Sequence, residues 1–182
     1  MEKLNIGIIL GSTRQGRVST QVGKWVKEIA QQHEEANYEI LDIADYNLPF
    51  FGTGTGEEQG IIAWKTKLSS MDGFVFIVQE YNHSITGALK NALDSAYAEW
   101  NNKAAGIVSY GSTGGARAAE HLRGILGELS VATVRAHPTL SIFTDFTKSK
   151  VFKPADFHNN DVAEMLDQTL SWSRALKTVR KS

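Results

Sequence analysis

The chain contains no cysteine. That excludes disulfides, thiolate metal centres and thiol nucleophiles, and it fits a reducing compartment. Net charge is almost absent too: 19 Lys and Arg against 20 Asp and Glu give -1 at pH 7. Neither a broad basic face for nucleic acid nor a strongly acidic docking surface is implied. No apolar run reaches the length of a membrane span. The N-terminal stretch MEKLNIGIIL is too short and too soon interrupted for a signal peptide. The expectation is a cytoplasmic protein with no membrane and no nucleic-acid partner. The histidines, His33, His83, His121, His137 and His158, form no H-E-x-x-H and no close ligand pair, so no metal is assigned. Ser12, Ser84 and Ser109 lack the G-x-S-x-G elbow, which leaves hydrolysis with little support.

What is present is 182 residues, 42% of them hydrophobic, enough for one domain with a substantial core. No repeat, low-complexity tract or linker divides residues 1–182. Strand-length apolar runs are read at 3–10, 38–43, 73–79, 104–111 and 131–136. Stripes at helical spacing fall between them. The first carries Val18, Val22, Trp25, Val26 and Ile29, and the second runs through about Leu68. The others lie at 85–100, 116–130 and about 159–180, while 137–158 reads as irregular. Five strands alternating with five helices predict an α/β fold, a parallel sheet with helices on both faces. Five strands most often take the order 2-1-3-4-5, the flavodoxin-like arrangement, and its ligands bind beyond the carboxyl ends of strands one and three.

Three loops meet at that edge. The first is GSTRQGRVST, Gly11 to Thr20. Gly11 and Gly16 have the spacing of a triphosphate loop, but Val18 offers no hydroxyl for magnesium. The dinucleotide fingerprint G-x-G-x-x-G is absent. What is left suits a monophosphate: helix-start amides, the hydroxyls of Ser12, Thr13 and Ser19, and Arg14 with its two-pronged grip. The alternative is a plain strand–helix turn with a capping serine and a solvated arginine. The second loop, QEYNHSITG, sets Glu80, Tyr81, Asn82 and His83 in a row. Such a loop can hydrogen-bond a flat heterocycle through its backbone and stack an aromatic on it. His83 taken alone reads as a cap or a surface side chain. The third, SYGSTGGARAAEHLR, holds Gly111, Gly114 and Gly115, which imply close backbone approach or special dihedrals. Tyr110 covers a ring or packs under the loop. One loop suits a phosphate and two suit a planar heterocycle, and flavin mononucleotide (FMN) has both ends. Elsewhere, GTGTGEEQ reads either as a mobile lid or as a surface loop. Trp100 reads as interface or as ordinary packing.

GSTRQGR, LDIADYNLPFF, EYNHSITGALKNALD and YGSTGGARAAEHLR together resemble the NADPH-dependent FMN reductase family, whose members include azoreductases, quinone reductases and chromate reductases. The resemblance covers nearly the whole chain. It implies that Ser12, Arg14 and Ser19 or Thr20 hold the FMN phosphate. It places Glu80, Tyr81, Asn82 and His83 at the isoalloxazine, and Tyr110, Gly111, Ser112, Gly114 and Gly115 along its pyrimidine side. It implies NADPH or NADH as co-substrate, ping-pong transfer to flavin, quinone, azo or metal-ion acceptors, and a homodimer or homotetramer. The flavin then carries the redox chemistry, and no side chain need act as nucleophile. Amides from Ser112 to Gly115, at a helix start, are expected to favour negative charge on the ring. Two residues depart from the pattern. Gln79 stands where a proline is usual, and Thr86 where a second is common, which predicts a less rigid loop. The alternative function is a non-enzymatic electron carrier of flavodoxin type. Such carriers usually need an acidic docking surface, which a net charge of -1 does not supply.

Overall fold

The computed structural model describes residues 2–148 and 150–181. In chain order the elements are β1 (Leu4–Leu10), α1 (Ser19–Ala30), β2 (Ala36–Asp42), a 3-10 turn (Ile43–Tyr46), α2 (Gln59–Ser69), β3 (Gly73–Gln79) and α3 (Gly87–Asp94). They continue with β4 (Lys103–Gly111), α4 (Ala116–Glu128), β5 (Val131–Thr133), β6 (Thr139–Ser141) and α5 (His158–Lys181). The sheet is parallel in the order β2-β1-β3-β4-β5, as the alternation predicts. β3 and β4 are buried at every position, which is why they read as continuous apolar runs rather than as alternating ones.

Each face of the sheet has its own core. Val22, Val26 and Ile29 of α1 and Val162, Met165 and Leu166 of α5 cover one face. Trp64 and Leu68 of α2, Leu89 and Leu93 of α3, and Leu122 and Leu126 of α4 cover the other. Trp100 belongs to that second core and not to the surface. It is fully buried against Phe74, with centroids 5.0 Å apart, and its indole N–H donates to Leu93 O at 3.1 Å. Its inward turn explains why α3 ends at Asp94 and not at Trp100. Ser95 bonds back to Asn91 O (2.7 Å) and the chain leaves helical geometry there.

The fifth strand is also shorter than its apolar pattern. β5 stops at Thr133, and the chain returns to the same edge as β6, pairing with the other end of β4 from Ser109 to Gly111. Pro138 has no N–H to give the ladder, but its carbonyl accepts from Ser109 N at 3.1 Å. At the opposite end of the sheet, Asp72 is a buried junction. It accepts from Asn5 N (3.0 Å), Lys177 Nζ (3.0 Å) and Arg180 Nη2 (2.7 Å), which fixes the end of α5 to the start of the sheet. Burial opposes its charge, yet these donors hold its carboxyl below the usual range.

Candidate active site

β1 is followed by Gly11, whose N–H donates to Ile77 O (3.0 Å), and the chain then leaves the sheet toward α1. No side chain caps the first turn of α1. Ser19 is buried there, and its hydroxyl lacks a close hydrogen-bond partner, interacting only loosely with the Tyr110 hydroxyl; Arg17 Nε is likewise buried and unmet. Unsatisfied polar atoms at a helix N-terminus are what a bound anion completes. Arg17 pairs with Asp42, whose second oxygen accepts from Ala44 N (3.1 Å), so its charge is already matched. Ser12 is buried and accepts from Arg14 N (3.3 Å). Arg14 is exposed and reaches Tyr81 Oη at 3.5 Å. Thr13 is exposed and Thr20 half-buried.

The carbonyl of Gly11 ties this loop to the next. It accepts from Gln79 Nε2 (2.5 Å) and from Thr86 Oγ1 (2.6 Å). Thr86 in turn caps α3 by accepting from Leu89 N (3.0 Å), and Gln79 Oε1 accepts from Tyr110 Oη (3.4 Å). The two positions where prolines are usual thus carry side chains that converge on one backbone oxygen.

Tyr81 and Ser84 exchange both backbone hydrogen bonds at 3.0 Å. Asn82 and His83 between them have φ of 49° and 67°, the geometry of a type I′ turn, which Asn tolerates better than most residues. Glu80 precedes this turn. Its side chain is 5% exposed, pairs with Arg117, and accepts from the backbone N–H of Arg117 (3.2 Å) and Ala118 (3.4 Å). Burial opposes its ionisation, but Arg117 and the α4 amides outweigh it and hold the carboxyl below its ordinary range. Glu80 thus meets the amides of Arg117 and Ala118, while the amides of Ser112 to Gly115 are not among its partners. Arg117 Nη1 also bonds His83 Nε2 (2.7 Å), and Ser84 Oγ meets His121 Nδ1 (2.7 Å), so the whole turn is bolted to α4.

Gly115, the residue just before α4, has φ 73°, and a Cβ there would sit 2.7 Å from Tyr110 N, so only glycine fits. Ser109 Oγ donates to Gly114 O (2.5 Å) and meets His137 Nε2 at 2.8 Å. The serine has one proton and the carbonyl can only accept, so His137 must donate from Nε2. Burial, then the charge of Arg123, pushes His137 down to about 4. It is therefore neutral in the folded protein across pH 4 to 6.5, where the unfolded chain binds a proton. The stability it supports is full above pH 6.5 and declines as pH falls toward 4. Melting temperature should drop from pH 7 to pH 5, and less so in His137→Gln. Equal slopes would remove His137 from the account.

The loops enclose a cavity of about 470 Å³ at the carboxyl ends of β1, β3 and β4, within the range of small-molecule sites. Arg14, Gly16, Arg17 and Val18 form one wall. Gln79, Glu80, Tyr81, Tyr110, Gly111 and Ser112 come from the strand ends, and Ile142, Phe146, Thr147, Lys148 and Lys150 complete it. Burial, then Tyr81, pushes the Tyr110 hydroxyl above its usual value, so it stays protonated. Ser12, Thr13, Ser19, Thr20, Asn82, His83, Gly114 and Gly115 lie outside this lining. The residues beyond β6 are not legible as site residues by periodicity. Their one signal is FTKSKVF, two lysines between phenylalanines. GTGTGEEQ is also outside the cavity and closes on itself, with Glu58 accepting from Thr55 N (2.8 Å) and Gly56 N (3.0 Å). Among the described residues no group of three His, Cys, Asp or Glu could hold a metal, and no helix is long and apolar enough to cross a membrane.

Comparison with known proteins bears on this arrangement. The profile of the NADPH-dependent FMN reductase family matches residues 4–145. An NAD(P)H-dependent FMN reductase of Schizosaccharomyces pombe is 34% identical over 156 residues, 81% of this chain and 78% of its own length. A quinone reductase of Escherichia coli is 34% identical over 135 residues, covering 69% of this chain and 70% of its own. The flavoenzyme NAD(P)H:acceptor oxidoreductase FerB of Paracoccus denitrificans shares the fold, with a TM-score of 0.73 at 19% identity over 91% of this chain and 97% of its own. The chain therefore belongs to the NADPH-dependent FMN reductase family, and it is an NAD(P)H-dependent oxidoreductase with FMN as its flavin.

Proposed function

We propose that the protein passes electrons from NADPH or NADH, through FMN in the 470 Å³ cavity, to flavin, quinone, azo or metal-ion acceptors. The observation that carries this reading is the start of α1, which no side chain caps, with the buried Ser19 hydroxyl facing only the Tyr110 hydroxyl loosely and Arg14 standing at the cavity. Ser12, Thr13, Arg14, Ser19, Thr20 and the first amides of α1 would hold the phosphate. Tyr81, Tyr110, Gly111 and Ser112 would flank the ring. Bound there, FMN supplies a hydride acceptor that can hand electrons on singly or in pairs. The protonated Tyr110 hydroxyl and the backbone of Gly111 and Ser112 orient and shield what enters. Donor and acceptor share one opening in this reading, so the kinetics are ping-pong. The quinone reductase relative supports quinones as one acceptor class.

The protein is further proposed to be cytoplasmic and to act as a homodimer or homotetramer. Phe50 and Phe51, 76% and 68% exposed, share a cleft with Ser95, and an apolar patch of that kind supports self-association.

The test is an absorption spectrum of the purified protein before and after anaerobic NADPH. Two flavin bands that bleach are the expected result. Bands that persist would favour the electron carrier. No bands after reconstitution with FMN would end the flavin reading.

A further inference from the structure

One wall of the cavity belongs neither to the phosphate loop nor to the ring loops. Phe146 and Phe152 form an antiparallel bridge. Thr147 closes the turn between them. Its N–H donates to Val151 O (2.8 Å), its carbonyl accepts from Lys150 N (2.8 Å), and its hydroxyl accepts from Val151 N (3.1 Å). The turn is fixed to α1 by Gln21, which donates to Lys150 O (3.1 Å) and accepts from Phe152 N (2.9 Å). Phe152 also meets Trp25 edge-on at 5.2 Å, and Phe146 meets Tyr110 at 5.7 Å. The turn's described residues are thus anchored against the first turns of α1. Lys148 and Lys150 are both exposed and both line the cavity.

The charges around them are unbalanced. Arg17 is matched by Asp42, and Glu80 is matched by Arg117. Among the described residues, Arg14, Lys148 and Lys150 have no carboxylate partner. Three cations without a carboxylate partner line one cavity, in a chain of net charge -1. A multiply charged anion offsets that local excess of positive charge, and a neutral ring does not.

The geometry points to a phosphomonoester subsite, in which Lys148 and Lys150 recognise a dianionic phosphate at the mouth of the cavity. This rests on the reading of the cavity as the FMN site. Two molecules of the proposed reaction carry such a group: FMN at its terminal phosphate, and NADPH at the 2′-phosphate that NADH lacks. In either case the two lysines determine specificity and take no part in the chemistry.

The experiment is a titration of wild type and of the double variant Lys148→Ala/Lys150→Ala with FMN, riboflavin and adenosine 2′-monophosphate. Both lysines are exposed, and circular dichroism checks that the variant keeps its fold. One phosphate ligand should weaken about tenfold or more, as expected for loss of a charge-assisted contact. Weaker FMN with unchanged riboflavin assigns the lysines to the cofactor phosphate. Weaker adenosine 2′-monophosphate with unchanged FMN assigns them to the co-substrate, and a lower preference for NADPH over NADH should accompany it. Lys148→Arg/Lys150→Arg should restore either. Unchanged binding of both phosphates overturns the proposal. A wild type that takes neither FMN nor riboflavin would instead count against the flavin reading, while the adenosine 2′-monophosphate arm still decides the lysines.

Discussion

Stripping both donors from the Gly11 carbonyl, by Gln79→Leu together with Thr86→Val, should lower stability by about 3 kcal/mol and weaken FMN about tenfold. Either single change leaves the carbonyl with one donor. Gln79→Leu also frees the Tyr110 hydroxyl, and Thr86→Val also removes the cap of α3. Each single should therefore cost about 1 kcal/mol. The double should exceed their sum, because only then is a buried carbonyl left bare. Urea unfolding of the apoprotein measures the first part and fluorescence titration with FMN the second. Strictly additive costs with unchanged FMN affinity would mean that the phosphate loop is held from elsewhere. Gln79→Pro, the change toward the usual residue, should not rescue FMN affinity, since the ring removes a donor that this chain uses.

Glu80→Ala should be the most damaging single substitution in the loop after β3. It uncaps α4 and leaves Arg117 without its carboxylate, at a cost of about 2 to 3 kcal/mol. The tight turn of Asn82 and His83 is then held to α4 only by Arg117–His83 and Ser84–His121 and should become more accessible to proteolysis. Glu80→Gln keeps the shape and should lose less, about 1 kcal/mol. The sign of the pH dependence follows from the depressed carboxyl. Its contribution is full above the ordinary value of 4.5 and fades as pH drops through the lower folded value. The gap between wild type and Glu80→Gln should thus be widest at pH 7 and close in acid. A constant gap would show that shape, not charge, is what Glu80 provides.

Much of this was legible without coordinates. Near-continuous apolar runs mark β1, β3 and β4 because both faces of those strands are covered. Alternation with helical stripes leaves little choice of topology. The residue types of the cavity were legible where composition shifts sharply, as in GSTRQGR. Three things were hidden, each for its own reason. The break at Pro138 was masked by the apolar residues on either side, Val134, Ala136 and Leu140. The ion pair of Glu80 was hidden because its partner, Arg117, lies 37 positions away. The lysine turn was invisible because its anchors are single long-range contacts, such as Gln21 to Phe152, which leave no periodic trace.

The Asp72 junction has a practical meaning. It fixes the end of α5 beside the first residues of β1 and β3, whereas the cavity opens at the far ends of the same strands. Seven residues of strand separate the two poles, about 20 Å. A surface-linking group placed on the last turns of α5 would therefore seat the molecule with its cavity toward the solution. That is the orientation wanted for an immobilised reductase fed by dissolved substrates. It would be a poor choice for direct wiring to an electrode, where the same distance separates the conductor from the flavin.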